Sequence, residues 1–169
     1  LEAHMVSAEL ASRSNATVVS VDYRLAQNGV QYPVPVDDVH AVLSAAFEGS
    51  IPGVSAASWV AVGGASAGAA LALAAAQRLR DAGELLPSAV LLAYPLTHFP
   101  NPGLSPDVSA DLAVLPLALR TPAQNVEWMV RNYVGRISDI PTDAIPGAAA
   151  MRGLPATAIV VSPAATAGR

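Results

Sequence analysis

A serine sits between two glycines in Gly64-Ala65-Ser66-Ala67-Gly68, a G-x-S-x-G pattern. These residue types at this spacing suit nucleophilic chemistry. A serine on a sharp strand-to-helix turn projects its hydroxyl clear of the backbone. Glycines two residues to either side remove Cβ atoms that would clash there. At such a turn the N–H of the following residue, here Ala67, opens a helix and is free to bind an oxyanion. Ala65, on the other side of the serine, is a candidate pocket residue. A Gly/Ala-rich turn that merely packs a helix closely on a sheet would leave the same pattern, so the flanking elements carry weight.

Those elements are of the required kinds. Trp59 to Val62 is a short β-branched segment leading into Gly63-Gly64. From Ser66 an Ala/Leu run predicts a helix to about Ala82, with Gly83 as its C′ stop. Ala89 to Tyr94 reads as the next buried strand, closed by Pro95. Earlier, Glu2 to Ser14 has Met5, Val6, Leu10 and Ala11 at amphipathic helical spacing. Thr17 to Asp22 is a nearly continuous β-branched run, as in a strand buried on both faces.

Gln27-Asn28-Gly29 reads as a turn and Tyr32-Pro33-Val34-Pro35 as extended chain. A helix is expected from Asp37 or its predecessor to about Phe47, with Asp37 and Asp38 favourable to its dipole. Gly49 to Gly53 then breaks the chain. From Leu96 the texture changes: Pro95, Pro100, Pro102, Pro106, Pro116 and Pro122 punctuate a stretch too broken for regular sheet. Thr121 as N-cap and Pro122 at N1 predict a helix through Val126, Met129, Val130 and Tyr133, ended by Gly135. A Pro/Gly-rich loop follows from Ile140 to Gly153, and Thr157 to Ser162 is expected to be a last buried strand.

The alternation of strands and helices predicts one α/β domain over residues 1–169, a doubly wound, mostly parallel sheet. Residues 96–154 form a Pro-rich helical excursion between its last two strands. Ligands of such sheets bind at the carboxyl ends of strands, where Ser66 falls.

Composition narrows the function classes. Of 169 residues 53% are hydrophobic and only 13% charged, which excludes a disordered chain. Nine Lys+Arg against 13 Asp+Glu give a net charge of −4, which excludes nucleic acid as a partner. The uncharged span from Trp59 to Ala76 is long enough to raise a membrane helix, but paired glycines and a β-rich start argue against one. With no basic, apolar leader at the start and no membrane span, a cytoplasmic location is expected. There is no cysteine, so neither a disulfide framework nor a thiolate metal site can form.

Several segments now match one family in order. Val21-Asp22-Tyr23-Arg24-Leu25-Ala26 is followed by Tyr32-Pro33-Val34-Pro35-Val36-Asp37-Asp38-Val39, then by Gly63-Gly64-Ala65-Ser66-Ala67-Gly68. Tyr94-Pro95 and Gly153-Leu154-Pro155 complete the set. From about Met5 to Ser162 the chain resembles the hormone-sensitive-lipase-like branch of the α/β-hydrolase fold, a group of carboxylesterases and lipases. The resemblance implies Ser66 as nucleophile and the Ala67 amide as one oxyanion donor. It further implies a small-molecule ester as substrate, and neither cofactor nor metal. It makes Asp22 and Arg24 a packing ion pair.

The departures concern the remaining catalytic parts. Family members more often carry aspartate where Ala65 stands, and their H-G-G-G oxyanion motif is missing here. Their acid follows the strand matching Thr157 to Ser162, whereas Pro163 to Arg169 holds no carboxylate; their histidine lies further on. Both ends of the chain are therefore expected to fall within the fold. Of the three histidines, His4 and His40 read as surface or packing residues, and His98 as a pocket-wall or loop residue past the strand ending at Tyr94. Asp107 and Asp111 read as solvated loop charges. The expected function is a serine carboxylic-ester hydrolase acting on small or apolar acyl esters through an acyl-enzyme on Ser66. The alternative is a non-catalytic relative that binds a small apolar ligand. A sheet cut short would expose strand edges, which makes a second copy of the chain a candidate partner.

Overall fold

The computed structural model describes residues 2–56, 59–100, 105–116 and 122–161. Three parallel strands form its sheet: β1 (Ala61–Ala65), β2 (Ala89–Ala93) and β3 (Ala156–Val160), in that order across the sheet. The registers place Ala65 beside Ala93 and Ala93 beside Val160 at the carboxyl end. Parallel pairing requires a crossover after each strand. Helix α3 (Ala67–Ala82) supplies the first, and the long segment up to β3 the second.

α3 is apolar nearly all round because both of its sides are covered. Ala69, Ala72, Leu73 and Ala76 pack on Val90 and Leu92 of β2, with Val62 of β1 beside them. Leu71, Ala74, Ala75 and Leu79 face Val36, Val39 and Leu43 of α2 (Val34–Glu48). Alanine lets the helix approach the sheet closely, while each buried leucine contributes about 1.5–3 kcal/mol by leaving water. α3 ends as the sequence predicts, with Gly83 left-handed at φ 69°. Gly49 closes α2 in the same way.

α1 (Glu2–Ser14) spans the expected residues, yet Met5, Val6 and Leu10 of its apolar stripe are exposed. The run Thr17 to Asp22 joins no strand ladder among the described residues, and Val18 and Val19 are exposed, against the expectation of a buried strand. β-branched composition favours extended backbone, but a strand needs a partner to pair with. α2 begins at Val34 rather than near Asp37. Proline at the first helical positions gives up no hydrogen bond, so Tyr32-Pro33-Val34-Pro35 leads into a helix instead of staying extended.

The same effect opens α4 (Pro106–Ala113), a helix within the stretch that the prolines make too broken for sheet. Asp107 and Asp111 accordingly belong to a helix and not to a loop, with Asp107 in its first turn. α5 (Ala123–Val134) starts one residue later than expected, with Pro122 at the cap position; Thr121 lies outside the described residues. Gly135 ends α5 in the left-handed region. The loop that follows contains a short 3-10 turn, Pro146–Ala148. β3 starts one residue earlier than predicted and is exposed along its whole length, with Ile159 and Val160 facing solvent, so the expected burial is absent. Ser162 lies outside the described residues. No helix among the described residues is long and apolar enough to cross a membrane.

Candidate active site

Ser66 stands between β1 and α3 with φ 52° and ψ −116°. A non-glycine residue with positive φ is uncommon and costly, and persists only where its surroundings enforce it. Two features do so here. The Ser66 N–H donates to the Ala93 carbonyl at 2.9 Å, carrying the β1–β2 ladder one step past the strand. The Ser66 carbonyl accepts from Ala69 and Ala70, at 3.1 and 3.2 Å, and opens α3. The residue is thus fixed by sheet on one side and helix on the other.

Gly64 lets the two meet. A Cβ there would lie 2.5 Å from the Gly68 carbonyl oxygen and 2.8 Å from the Ala69 nitrogen. Gly68 is different: a Cβ on it meets nothing within 4 Å among the described residues. The clearance expected of both glycines is therefore needed only at Gly64, because it is the strand that approaches the helical turn.

The Ser66 hydroxyl does not cap its own helix, and among the described residues it has no hydrogen-bond partner. Ser66, Ala65 and Ala67 are all exposed. Ala67 and Gly68 are the first residues of α3, where amides have no carbonyl one turn back to bond. A hydroxyl beside unpaired amides at a positive helix end is an arrangement able to hold an anionic oxygen.

His98 lies elsewhere. It lines a cavity of about 170 Å³ with Phe99, Pro100, Ile140, Pro141, Ile145 and Ala148, and Ser66 is not in its wall. The imidazole Nδ1 is 3.0 Å from Thr97 Oγ1, and no hydrogen bond joins it to Ser66. His4 is exposed on α1 and His40 half-buried on α2. Among the described residues no cluster of His, Asp and Glu could hold a metal ion.

Sequence reasoning missed a polar clasp on the far half of α3. Arg78 donates from Nε to Asp143 at 2.7 Å and from Nη1 to Asp37 at 2.5 Å. The Tyr32 hydroxyl donates to the other Asp143 oxygen at 2.5 Å, and the Arg78 guanidinium sits 5.9 Å over the Tyr32 ring. Tyr133 of α5 packs edge-on to Tyr32, centroids 6.0 Å apart. Burial would push Asp143 up, but hydrogen bonds from Tyr32 and Arg78 outweigh it and hold the carboxyl below its usual range. Burial raises Tyr133, and the neighbouring Tyr32 and Asp143 raise it further.

On the same stretch of α3, buried Gln77 donates to the Pro146 carbonyl at 2.9 Å, and Arg80 donates to the Ala150 and Arg152 carbonyls. Three polar side chains inside an Ala/Leu helix were the available signal. Arg24 was expected to pair with Asp22; it pairs instead with Asp38, through Nε at 3.0 Å and Nη2 at 2.7 Å. Asp22 is exposed. The Arg24 backbone amide also donates to Asp38, and these bonds hold the Asp38 carboxyl at about 2. The paired aspartates of the Y-P-x-P-x-D-D motif therefore serve two separate ion pairs.

A parallel sheet, a serine turned out between strand and helix, and the order of the motifs all point one way. The chain belongs to the α/β-hydrolase fold family, which it matches over residues 2–165. It is similar to the Pyrobaculum calidifontis esterase, at 30% identity and TM-score 0.78, over 93% of this chain and 50% of that one. EstE1, a thermostable carboxylesterase from a metagenomic library, is 29% identical with TM-score 0.76, over 92% of this chain and 52% of its own. Carboxyl esterase 2 of Tuber melanosporum, at 24% identity and TM-score 0.79 over 95% and 52%, shares the fold. The chain thus spans about half the length of the solved structures it matches. No curated protein matches it.

Proposed function

We propose that Ser66 is the nucleophile of a serine carboxylic-ester hydrolase acting on small or apolar acyl esters. Its Oγ attacks the ester carbonyl, the alcohol leaves, and water then releases the acid from the acyl-enzyme. The Ala67 N–H donates to the oxyanion formed at each step. The observation that carries this reading is the enforced positive φ of Ser66, which turns an uncommitted hydroxyl away from both the strand and the helix that hold it. The esterase and carboxylesterase neighbours support the ester as the substrate class.

A serine needs a base to take its proton. None among the described residues is hydrogen-bonded to Ser66, so this reading places the base and its orienting acid outside them. It also takes residues 1–169 as one domain, with 96–154 as an excursion that the α3 clasp fastens to the core. The test is hydrolysis of p-nitrophenyl acetate by the complete polypeptide and by its Ser66→Ala variant. A loss of at least about a thousandfold is expected. Equal rates would overturn the assignment.

A further inference from the structure

Five described non-glycine residues have positive φ: Asn15, Asn28, Ser66, Tyr94 and Asp139. Asn and Asp tolerate this region, since their short polar side chains bond locally. Ser66 and Tyr94 have no such excuse, and for a bulky ring positive φ is an outlier. The two are neighbours. Ala65 pairs with Ala93, so Ser66 and Tyr94 are the next residues on adjacent strands, which lie about 4.8 Å apart.

One peptide group links them. The Ala93 carbonyl accepts the Ser66 N–H at 2.9 Å, and the Tyr94 N–H of the same peptide donates to Val160 at 2.6 Å. The peptide is therefore held at both ends, between the serine turn and β3. Tyr94, at φ 37°, turns the chain away immediately after it. The residue is 61% exposed, and its hydroxyl has no hydrogen-bond partner among the described residues. An aromatic ring at a strained backbone position, in solvent, gains nothing from core burial; strain of this kind concentrates at functional sites.

The geometry points to Tyr94 as a positioning and specificity residue for Ser66, an inference that rests on the hydrolase reading above. Its turned backbone keeps the Ala93 carbonyl on the Ser66 amide. Its ring walls the cleft in which the apolar part of the ester lies, offering a flat face at low entropic cost. The two roles separate by substitution. Glycine accepts positive φ and removes the ring, whereas valine removes the ring and resists the turn.

The experiment compares Tyr94→Gly, Tyr94→Phe and Tyr94→Val in the complete polypeptide, with p-nitrophenyl butyrate as substrate and Ser66→Ala as reference. Tyr94→Gly should raise KM about five- to tenfold with kcat nearly kept, and Tyr94→Phe should recover most of that loss. Tyr94→Val should lower kcat by about ten- to a hundredfold. It should also speed amide hydrogen exchange at Ser66 about tenfold, while Tyr94→Gly leaves that exchange slow.

A Ser66-dependent activity with unchanged KM in Tyr94→Gly would overturn the ring's role. Unchanged Ser66 exchange in Tyr94→Val would overturn the backbone role. Hydrolysis that survives Ser66→Ala would instead remove the hydrolase reading and the ring's role with it. The exchange arm would still decide what holds the serine turn.

Discussion

The turn at Ser66 and the clasp around Arg78 occupy opposite halves of α3 and are built from different materials. Backbone hydrogen bonds and close approach hold the turn: the Ala93 carbonyl on the Ser66 amide, and Gly64 against Gly68. Charged side chains hold the clasp: Arg78 on Asp37 and Asp143, with Arg80 on backbone carbonyls nearby. Backbone contacts carry no titrating group, whereas ion pairs respond to acid and salt. The comparison teaches that the geometry of the Ser66 turn is insulated from solution conditions, while the attachment of the 143–152 loop is not.

The largest effect is expected at the turn. Gly64→Ala forces a Cβ into the Gly68–Ala69 peptide, where the atoms met are all backbone and nothing can rotate away. A loss of about 3 kcal/mol is expected, at the upper end for overpacking. It would be read as a lower urea midpoint at unchanged m. Stability within about 0.5 kcal/mol of the parent would break the claim that steric closeness holds the turn.

Arg78→Met comes next. It leaves Asp143 and Asp37 without their cation; the Arg78 and Asp143 side chains are each 24% exposed, between a surface pair and a buried one. About 2 kcal/mol is expected, below the cost of breaking a fully buried pair. In a cycle with Asp143→Asn the two changes should couple by about 1 kcal/mol. Additive losses would show that the clasp is packing alone.

Acid sharpens the contrast further. Asp38 and Asp143 are both held below their ordinary range in the folded chain. A carboxylate depressed on folding contributes stability above its unfolded pKa, and that contribution is lost as pH falls through the folded value. Stability should therefore decline from about pH 5 toward about pH 2, where Asp38 titrates. Asp38→Asn should flatten part of this limb. The exposed Arg24 partner keeps the effect smaller than that of Arg78→Met. An unchanged slope would remove Asp38 from the account.

Much of the fold around Ser66 is legible in the sequence. The strand–turn–helix around Ser66 could be read because β-branched residues, glycines and an alanine run succeed one another within a short window. Thr17 to Asp22 misled for the opposite reason. Its composition is local, but strand pairing depends on a neighbour that no local pattern records. The helix starts at Val34 and Pro106 were hidden because proline reads as a breaker unless its place in the first turn is known. The partner of Arg78 was not readable, since Asp143 lies far away in sequence, and Arg24 had a nearer aspartate, Asp22, than the Asp38 it pairs with. Tyr94 is legible only as half of the Tyr94-Pro95 motif at a strand end; its positive φ is not, because tyrosine before proline looks like an ordinary strand end.

The smallest prediction isolates the turn's one-sidedness. Gly68 has the same standing in the G-x-S-x-G pattern as Gly64, yet it lies inside α3, outside the positive-φ glycines, with open space where a Cβ would go. Alanine there keeps a helical backbone and lowers the entropy of the unfolded chain. Gly68→Ala should accordingly stabilise the fold by about 0.5 kcal/mol. Opposite signs for two glycines two residues either side of one serine would mean that the strand, and not the helix, needs clearance. A Gly68→Ala loss as large as that of Gly64→Ala would mean that the helix turn is as crowded as the strand. The close approach would then have to be sought on both sides of Ser66.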